Sequence, residues 1–281
     1  MTLMKRLLRK VATRAWRGAW TVQTALDPGR VHTFRLPDGG RLEYPLATAV
    51  GADLFAGCFE SAELAFVRAH LRPGDVVLDV GANAGLYTVI AARMVGSSGH
   101  VFAFEPDDRA VALLRRNIAL NGLSNVTVIE AAVSDETGQR QFAAASDIAM
   151  SSLAASRRAD QQIQLWRTID TIRLDDALDT YRVERAAFLK IDVEGAEKLV
   201  LEGAFELLAR APDRFAILFE AVELNAEPFG YTVSELLELV ELKGFSVHGF
   251  DLTGRLRPLR VLGPGVGRTI CNFVGFKKPS D

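Results

Sequence analysis

Between residues 76 and 276 short apolar runs alternate with longer stretches in which apolar positions recur every three or four residues. The runs at 76–80, 101–104, 126–131, 188–193 and 215–219 are rich in Val, Ile, Leu and Phe and too short for helices, which is the signature of buried strands. Periodic stretches at 86–95, 107–121, 196–209 and 233–243 predict the helices between them, and further strands are expected near 245–248 and 269–276. Strands spaced by helices of this length need crossover connections, hence a largely parallel sheet covered on both faces. The pattern predicts a doubly wound α/β fold.

Upstream, 59–71 reads as a helix stopped by Pro73-Gly74, and 31–36 with 41–44 flank Pro37-Asp38-Gly39-Gly40 as a small hairpin. On a helical wheel Leu3, Met4, Leu7, Leu8, Val11, Ala12, Ala15, Trp16 and Ala19 share one side, while Arg6, Arg9, Lys10, Arg14 and Arg17 share the other. Such a cationic amphipathic helix suits peripheral contact with an anionic membrane through residues 3–20, or packing on protein. Residues 143–164 hold seven Ala, four Ser and few large apolar side chains, which predicts a mobile loop, a lid carrying Arg157 and Arg158. The expected organisation is a basic helix at 1–30, a hairpin and connector at 31–58, and one domain at 59–281 with a loop insertion at 143–164.

Composition allows a large core, with 49% apolar residues, Tyr and Cys counted, and 24% charged. The net charge of −2 hides an asymmetry. Residues 1–30 carry seven basic side chains against Asp27 alone, a net of +6, which leaves −8 on the remaining 251 residues. An acidic body argues against a nucleic-acid partner. The longest stretch without Asp, Glu, Lys or Arg is 13 residues, too short to span a bilayer, and no export signal is evident, so a cytoplasmic protein is expected, with peripheral contact at the inner face of the membrane as the variant. Cys58 and Cys271, far apart in sequence, suggest two buried thiols, and His32, His70, His100 and His248 stand beside no partner motif.

The chemistry concentrates in Asp79-Val80-Gly81-Ala82-Asn83-Ala84-Gly85, between a strand and a helix. Glycines there let the backbone approach a ligand, and the helix start offers unpaired amides. The Gly-x-x-x-Gly spacing departs from the Gly-x-Gly-x-x-Gly dinucleotide fingerprint. Glu105 follows at the end of the next strand, where an acid accepts hydrogen bonds from the ribose hydroxyls of a nucleoside cofactor. Its other reading is an acid stabilised at a helix N-terminus. Asp79 is placed to meet an amino-acid ammonium group. An NAD-dependent oxidoreductase would share this strand-turn-acid geometry, and a non-catalytic, membrane-associated cofactor-binding protein is the alternative outside enzymes.

Val76-Val77-Leu78-Asp79-Val80-Gly81-Ala82-Asn83-Ala84-Gly85-Leu86-Tyr87-Thr88, then Phe104-Glu105-Pro106, Ala131-Ala132-Val133-Ser134-Asp135 and Leu189-Lys190-Ile191-Asp192-Val193-Glu194-Gly195-Ala196-Glu197 together resemble the FkbM family of S-adenosylmethionine-dependent methyltransferases. The resemblance implies a mostly parallel, seven-stranded class I methyltransferase sheet, Rossmann-like, with an antiparallel final hairpin. It also implies transfer of a methyl group to a hydroxyl of a glycan, glycolipid or secondary metabolite, so the partner expected is a hydroxylated small-molecule, glycan or lipid-linked acceptor. Carried onto this sequence, Asp79, Gly81, Asn83 and Gly85 form the methionine-binding turn, with Tyr87 and Thr88 at the helix start. Glu105, followed by Pro106, takes the ribose, Ala131 and Ala132 face the adenine, and Asp192 stands beside the reacting centre, where it also binds the cofactor by orienting its amine.

A hydroxyl acceptor calls for a general base. Asp192 is the first candidate, with Glu194 and Glu220 behind it, although Glu194 could instead cap the helix beginning near Ala196. Lys190, two residues earlier on the strand, points to the same face as Asp192 and could pair with a carboxylate or place an anionic substrate. Oxygen ligands suit magnesium, but Phe219-Glu220-Ala221-Val222-Glu223-Leu224-Asn225 lacks the Asp-Asn pair of metal-dependent catechol-type enzymes, so no metal is expected. An Asn-Pro-Pro-Tyr motif, which would suggest methylation of base amines, is missing.

Overall fold

In the computed structural model the described residues are 18–27, 29–155, 161–251, 253–262, 266–268 and 271–278. The chain divides into two compact units, Met1–Ser61 and Ala62–Asp281. In the first, residues 18–26 are helical (α1), and the cationic face expected at 3–17 lies outside the described residues. Strands β1 (Val31–Arg35) and β2 (Arg41–Pro45) pair antiparallel with Phe34 opposite Leu42, both buried. Helix α2 (Ala49–Ala56) follows without having been expected, started by Thr48, whose hydroxyl accepts the Gly51 amide at 2.9 Å.

The second unit runs α3 (Ser61–His70), β3 (Val76–Val80), α4 (Leu86–Val95), β4 (His100–Phe104), α5 (Asp108–Leu120), β5 (Val126–Ile129), β6 (Ala132–Val133), β7 (Gly138–Ala145) and β8 (Ile163–Ile172). It continues α6 (Leu174–Thr180), β9 (Phe188–Ile191), α7 (Glu197–Glu202), α8 (Phe205–Arg210), β10 (Ala216–Glu220), α9 (Glu223–Ala226), α10 (Val233–Leu242), β11 (Phe245–Phe250), β12 (Leu256–Pro258) and β13 (Asn272–Lys277). The main sheet has the order β12-β11-β13-β10-β9-β3-β4-β5. Strands β5, β4, β3, β9 and β10 are parallel, and β13 runs antiparallel to both its neighbours. This is the class I methyltransferase order, with the three-residue β12 added at one edge. From β3 the chain winds outward to β5 and returns to β9 on the other side of β3, so the strand order reverses there and opens a crevice at the carboxyl ends.

Leu78, Phe188, Phe215, Phe219, Phe245 and Phe273 are fully buried around this sheet. Burying a side chain of this kind contributes about 1.5–3 kcal/mol. The helix expected at 196–209 is two helices parted at Gly203. Asp175 of α6 makes the break tolerable: its amide donates to the Gly203 carbonyl at 3.0 Å, and its carboxylate accepts the Glu206 and Leu207 amides at 2.9 and 3.0 Å. Among the described residues no helix is long and apolar enough to cross a membrane.

Two expectations are corrected. The loop expected at 143–164 is narrower at both ends: Ala143, Ala144 and Ala145 close strand β7 and are buried, Ile163 and Gln164 open β8, and β7 lies antiparallel on β8 in a three-stranded sheet of order β6-β8-β7, with Ala143 pairing with Ser152 through a further bridge. Small side chains bury well where strands lie close, which a count of large apolar residues overlooks. Arg157 and Arg158 lie outside the described residues. The thiols are not buried either, Cys58 being exposed and Cys271 half-buried, and neither is in a disulfide.

Candidate functional site

The turn after β3 is built on Gly81. Its amide and that of Ala82 both donate to the Phe104 carbonyl at 3.0 Å, which ties the turn to the end of β4. Gly81 has φ +74°, and a Cβ there would come within 1.8 Å of the Asp192 carbonyl oxygen, so only glycine fits on both counts. Asn83, also left-handed at φ +50°, donates its amide to Glu105 Oε2 at 2.8 Å. Glu105 Oε1 accepts the Asp107 amide at 2.9 Å. Burial pushes the Glu105 carboxyl up to about 7 against the pull of these two amides. Each of its oxygens holds one amide and keeps acceptor capacity for a hydroxyl. Helix α5 is capped by Asp107, which accepts the Arg109 amide at 3.0 Å, so the helix-terminal reading of Glu105 belongs to its neighbour.

Asp79 and Lys190 lie beneath the turn. Asp79 is 1% exposed, accepts the Thr88 hydroxyl at 2.5 Å and stands 3.7 Å from the Lys190 ammonium. Burial raises its carboxyl above the usual range, against the Lys190 charge. Lys190 Nζ donates to the Gly81 carbonyl at 2.6 Å, lies 3.4 Å from Asp192 Oδ2 and sits 5.4 Å from the centre of the Tyr87 ring. Of the two roles open to Lys190, the structure shows the pairing with carboxylates.

Across the crevice, the Asp192 amide donates to the Val80 carbonyl at 3.1 Å, continuing the pairing of β9 with β3. One carboxylate oxygen each from Asp192, Glu194 and Glu220 lie within 4.8 Å of one another, and all three residues are half-buried. Glu194 is left-handed at φ +53° and accepts Asn225 Nδ2 at 2.7 Å. It does not cap the next helix. Glu197 holds that turn instead, its Oε1 accepting the Val193 and Gly195 amides at 3.2 and 3.1 Å.

The structure thus gathers Asp192, Glu194 and Glu220 on one side and Asp79, Gly81, Asn83, Thr88 and Glu105 on the other, with Lys190 in contact with both. Gly85 caps α4, which starts with Leu86, Tyr87 and Thr88. Ala131 and Ala132 are buried where the chain leaves β5 for β6, and the Pro106 carbonyl accepts Arg167 Nη2 at 3.2 Å. Sequence reasoning missed Asp107, which binds Arg109 Nη2 at 2.6 Å, the Ser151 hydroxyl at 3.1 Å and Arg167 at 3.4 Å. Burial works against its ionisation, but the Arg109 hydrogen bonds and charge hold the carboxyl below its usual range. Its signal was an Asp as the first residue of the helix predicted over 107–121, a residue type favoured at the N-cap. Glu197 and Tyr231 were missed as site supports because hydrogen bonds between distant segments leave no local spacing.

A glycine turn with a buried acid on the following strand fits a nucleoside cofactor carrying an amino-acid tail, since Glu105 can take a ribose diol and the turn can meet the tail with its backbone. The family described as methyltransferase FkbM domain matches residues 79–247, which span both halves of the crevice. The chain is 31% identical over 199 residues to the 31-O-demethyl-FK506 methyltransferase FkbM of Streptomyces tacrolimicus, covering 62% of this chain and 75% of that protein. It is 28% identical over 206 residues to the methyltransferase sdnD of Sordaria araneosa, covering 64% of this chain and 76% of that protein. Among solved structures, the methyltransferase FkbM of Methylobacillus flagellatus KT superposes with a TM-score of 0.46 at 16% identity, over 81% of this chain and 54% of that one. Neither a nicotinamide oxidoreductase nor a non-catalytic binding protein is favoured beside these matches. The chain belongs to the FkbM methyltransferase family and is an S-adenosylmethionine-dependent methyltransferase.

Proposed function

We propose that this enzyme methylates a hydroxyl oxygen of a small metabolite, a glycan or a glycolipid, with Asp192 as general base. The observation that carries this reading is the Asp192 carboxylate, 35% exposed at the mouth of the crevice, 3.4 Å from the Lys190 ammonium and grouped with Glu194 and Glu220. An alcohol must lose its proton as the new carbon–oxygen bond forms, and a reachable carboxylate can take it. The relative from Streptomyces tacrolimicus, by its name, acts on an O-demethyl compound, which supports oxygen as the atom methylated.

S-adenosylmethionine supplies an electrophilic methyl group whose sulfonium charge disappears on transfer. Glu105 would hold its ribose and the 81–85 turn its methionine end. Asp192, Glu194 and Glu220 would receive the acceptor, orienting its hydroxyl by hydrogen bonds. Alignment is then the main task of the protein, and well-aligned groups can supply roughly 7–11 kcal/mol of a barrier. In this reading Lys190 contributes the positive charge beside the acids, and no metal is required.

The test is incubation with S-adenosylmethionine and a panel of hydroxylated macrolides, oligosaccharides and glycolipids, read by mass spectrometry. A gain of one methyl on oxygen in any class supports the reading. Methylation confined to nitrogen or carbon acceptors would overturn it.

A further inference from the structure

We infer that Glu197 is kept as a neutral carboxylic acid hydrogen-bonded to Tyr231, and that this uncharged pair is the positioning element for the 192–195 turn. Glu197, the first residue of α7, is 2% exposed, and Tyr231 is 4% exposed. Tyr231 Oη lies 2.7 Å from the Gly195 carbonyl oxygen and 3.0 Å from Glu197 Oε2. A phenol has one proton, and a backbone carbonyl only accepts. If the phenol donates to Gly195, the contact with Glu197 has a hydrogen only when Glu197 itself carries one. If the phenol donates to Glu197 instead, a 2.7 Å oxygen–oxygen contact with Gly195 is left bare. Both short contacts are satisfied together when Oε2 is protonated and donates to Tyr231 while Tyr231 donates to Gly195.

The rest of the environment agrees. Glu197 Oε1 is left to accept the Val193 and Gly195 amides. Burial raises the Glu197 carboxyl, against the backbone amides, and the Asp192 charge raises it further. Burial first, and then the nearby acid Glu220, raise the Tyr231 phenol, so it keeps its proton. Among the described residues, charges that act on the pair are Lys198 of α7, its ammonium 5.8 Å from the centre of the Tyr231 ring, Asp192 at the end of β9 and Glu220 at the end of β10.

The held segment needs holding. Glu194 is left-handed, Gly195 has φ +107°, and a Cβ on Gly195 would come within 2.1 Å of the Asn225 carbonyl oxygen. Glu197 fixes both amides that flank Glu194, and Tyr231 fixes the Gly195 carbonyl. Losing the proton replaces a hydrogen bond by a repulsive contact at the base of the turn, and the turn then misplaces Asp192 and Glu194. This consequence for turnover rests on the acceptor-side role proposed for those acids; the protonation state does not.

The experiment uses Glu197→Gln, Glu197→Ala and Tyr231→Phe in the full chain. Glutamine reproduces the neutral acid, accepting the two amides through its oxygen and donating to Tyr231 through its nitrogen. Glu197→Gln should keep turnover within about threefold of the parent, whereas Glu197→Ala should lower kcat by about 10²-fold with the cofactor Kd nearly unchanged, the loss expected of a misplacement near 1 Å. Stability gives a readout independent of any acceptor. An acid raised in the fold stabilises below its unfolded value and loses that contribution as pH rises through its folded value, so the parent Tm should fall with pH more steeply than that of Glu197→Gln. Isotope-edited infrared spectroscopy should show a protonated-carboxyl band at pH 7 that Glu197→Gln removes and Tyr231→Phe shifts. Absence of that band, or a Glu197→Gln protein as impaired as Glu197→Ala, would overturn the inference whether or not a hydroxyl acceptor is found.

Discussion

The two sides of the crevice use the same chemical group under opposite conditions. On the side proposed to hold the cofactor Asp79 and Glu105 are 1% and 7% exposed, and their oxygens are held by Thr88, Lys190 and two backbone amides. On the other side Asp192, Glu194 and Glu220 are half-buried and face one another within 4.8 Å. Enclosed carboxylates keep a fixed geometry and are costly to ionise, which suits holding one ligand shape. Accessible ones can exchange protons, which suits chemistry on an acceptor. In the proposed function this difference separates binding from turnover.

The largest effect should come from the open side. Asp192→Ala is expected to lower kcat by about 10²–10⁴-fold, the range for a lost general base. Calorimetry should still find S-adenosylmethionine bound with a Kd within about threefold of the parent. Weakened binding with unchanged kcat would reverse the assignment of the two sides.

Next comes the turn. Gly81→Ala adds a Cβ 1.8 Å from the Asp192 carbonyl at a left-handed φ, so a loss of about 2–4 kcal/mol in stability is expected from strain and overpacking. Thermal unfolding measures it, and a Tm equal to the parent would show that the turn is softer than described.

Glu105 offers a smaller, pH-dependent effect. Its carboxyl, raised to about 7 by burial, is protonated in much of the free protein below that pH, while two ribose hydroxyls favour the ionised acceptor. Cofactor affinity should therefore rise as pH increases through about 7, by about tenfold between pH 6 and pH 8. The sign for the free fold is the opposite: between the ordinary value of 4.5 and about 7 the free protein loses stability as pH rises. Calorimetry at both pH values tests the binding step, which Glu105→Gln should abolish. The smallest effect concerns metal: EDTA should change the rate by less than about twofold, because Lys190 already provides a cation beside Asp192. A large loss restored by magnesium would move the open side into metal chemistry.

Much of the framework was readable in the sequence. Helix α4 spans the stretch 86–95 that its apolar pattern marked, and the turn at 79–85 joins it to β3 where glycine spacing indicated. Lys190, Asp192 and Glu220 sit at the ends of adjacent strands because strand alternation and sheet order put them there. The alanines at 143–145 misled because strand burial depends on how near the neighbouring chain lies, which composition does not record. Helix α2, eight residues long with a glycine inside it, offers too few turns for a period to emerge. Glu197 looked like one more acid in a motif, and its role appears only when Tyr231, 34 residues further on, is brought beside it.

Gly81 has a consequence for tolerance. Its carbonyl takes the Lys190 ammonium, 109 residues away in sequence, and its α-carbon lies against the Asp192 carbonyl with no room for a methyl group. The part of the chain proposed to meet the cofactor and the part that carries the proposed base are therefore gauged against each other across one van der Waals contact. Errors of placement do not accumulate along the intervening helices and strands. In the proposed function the distance from departing methyl to receiving oxygen inherits the stiffness of a single backbone junction, and that junction can stay constant while the acceptor-facing surface varies.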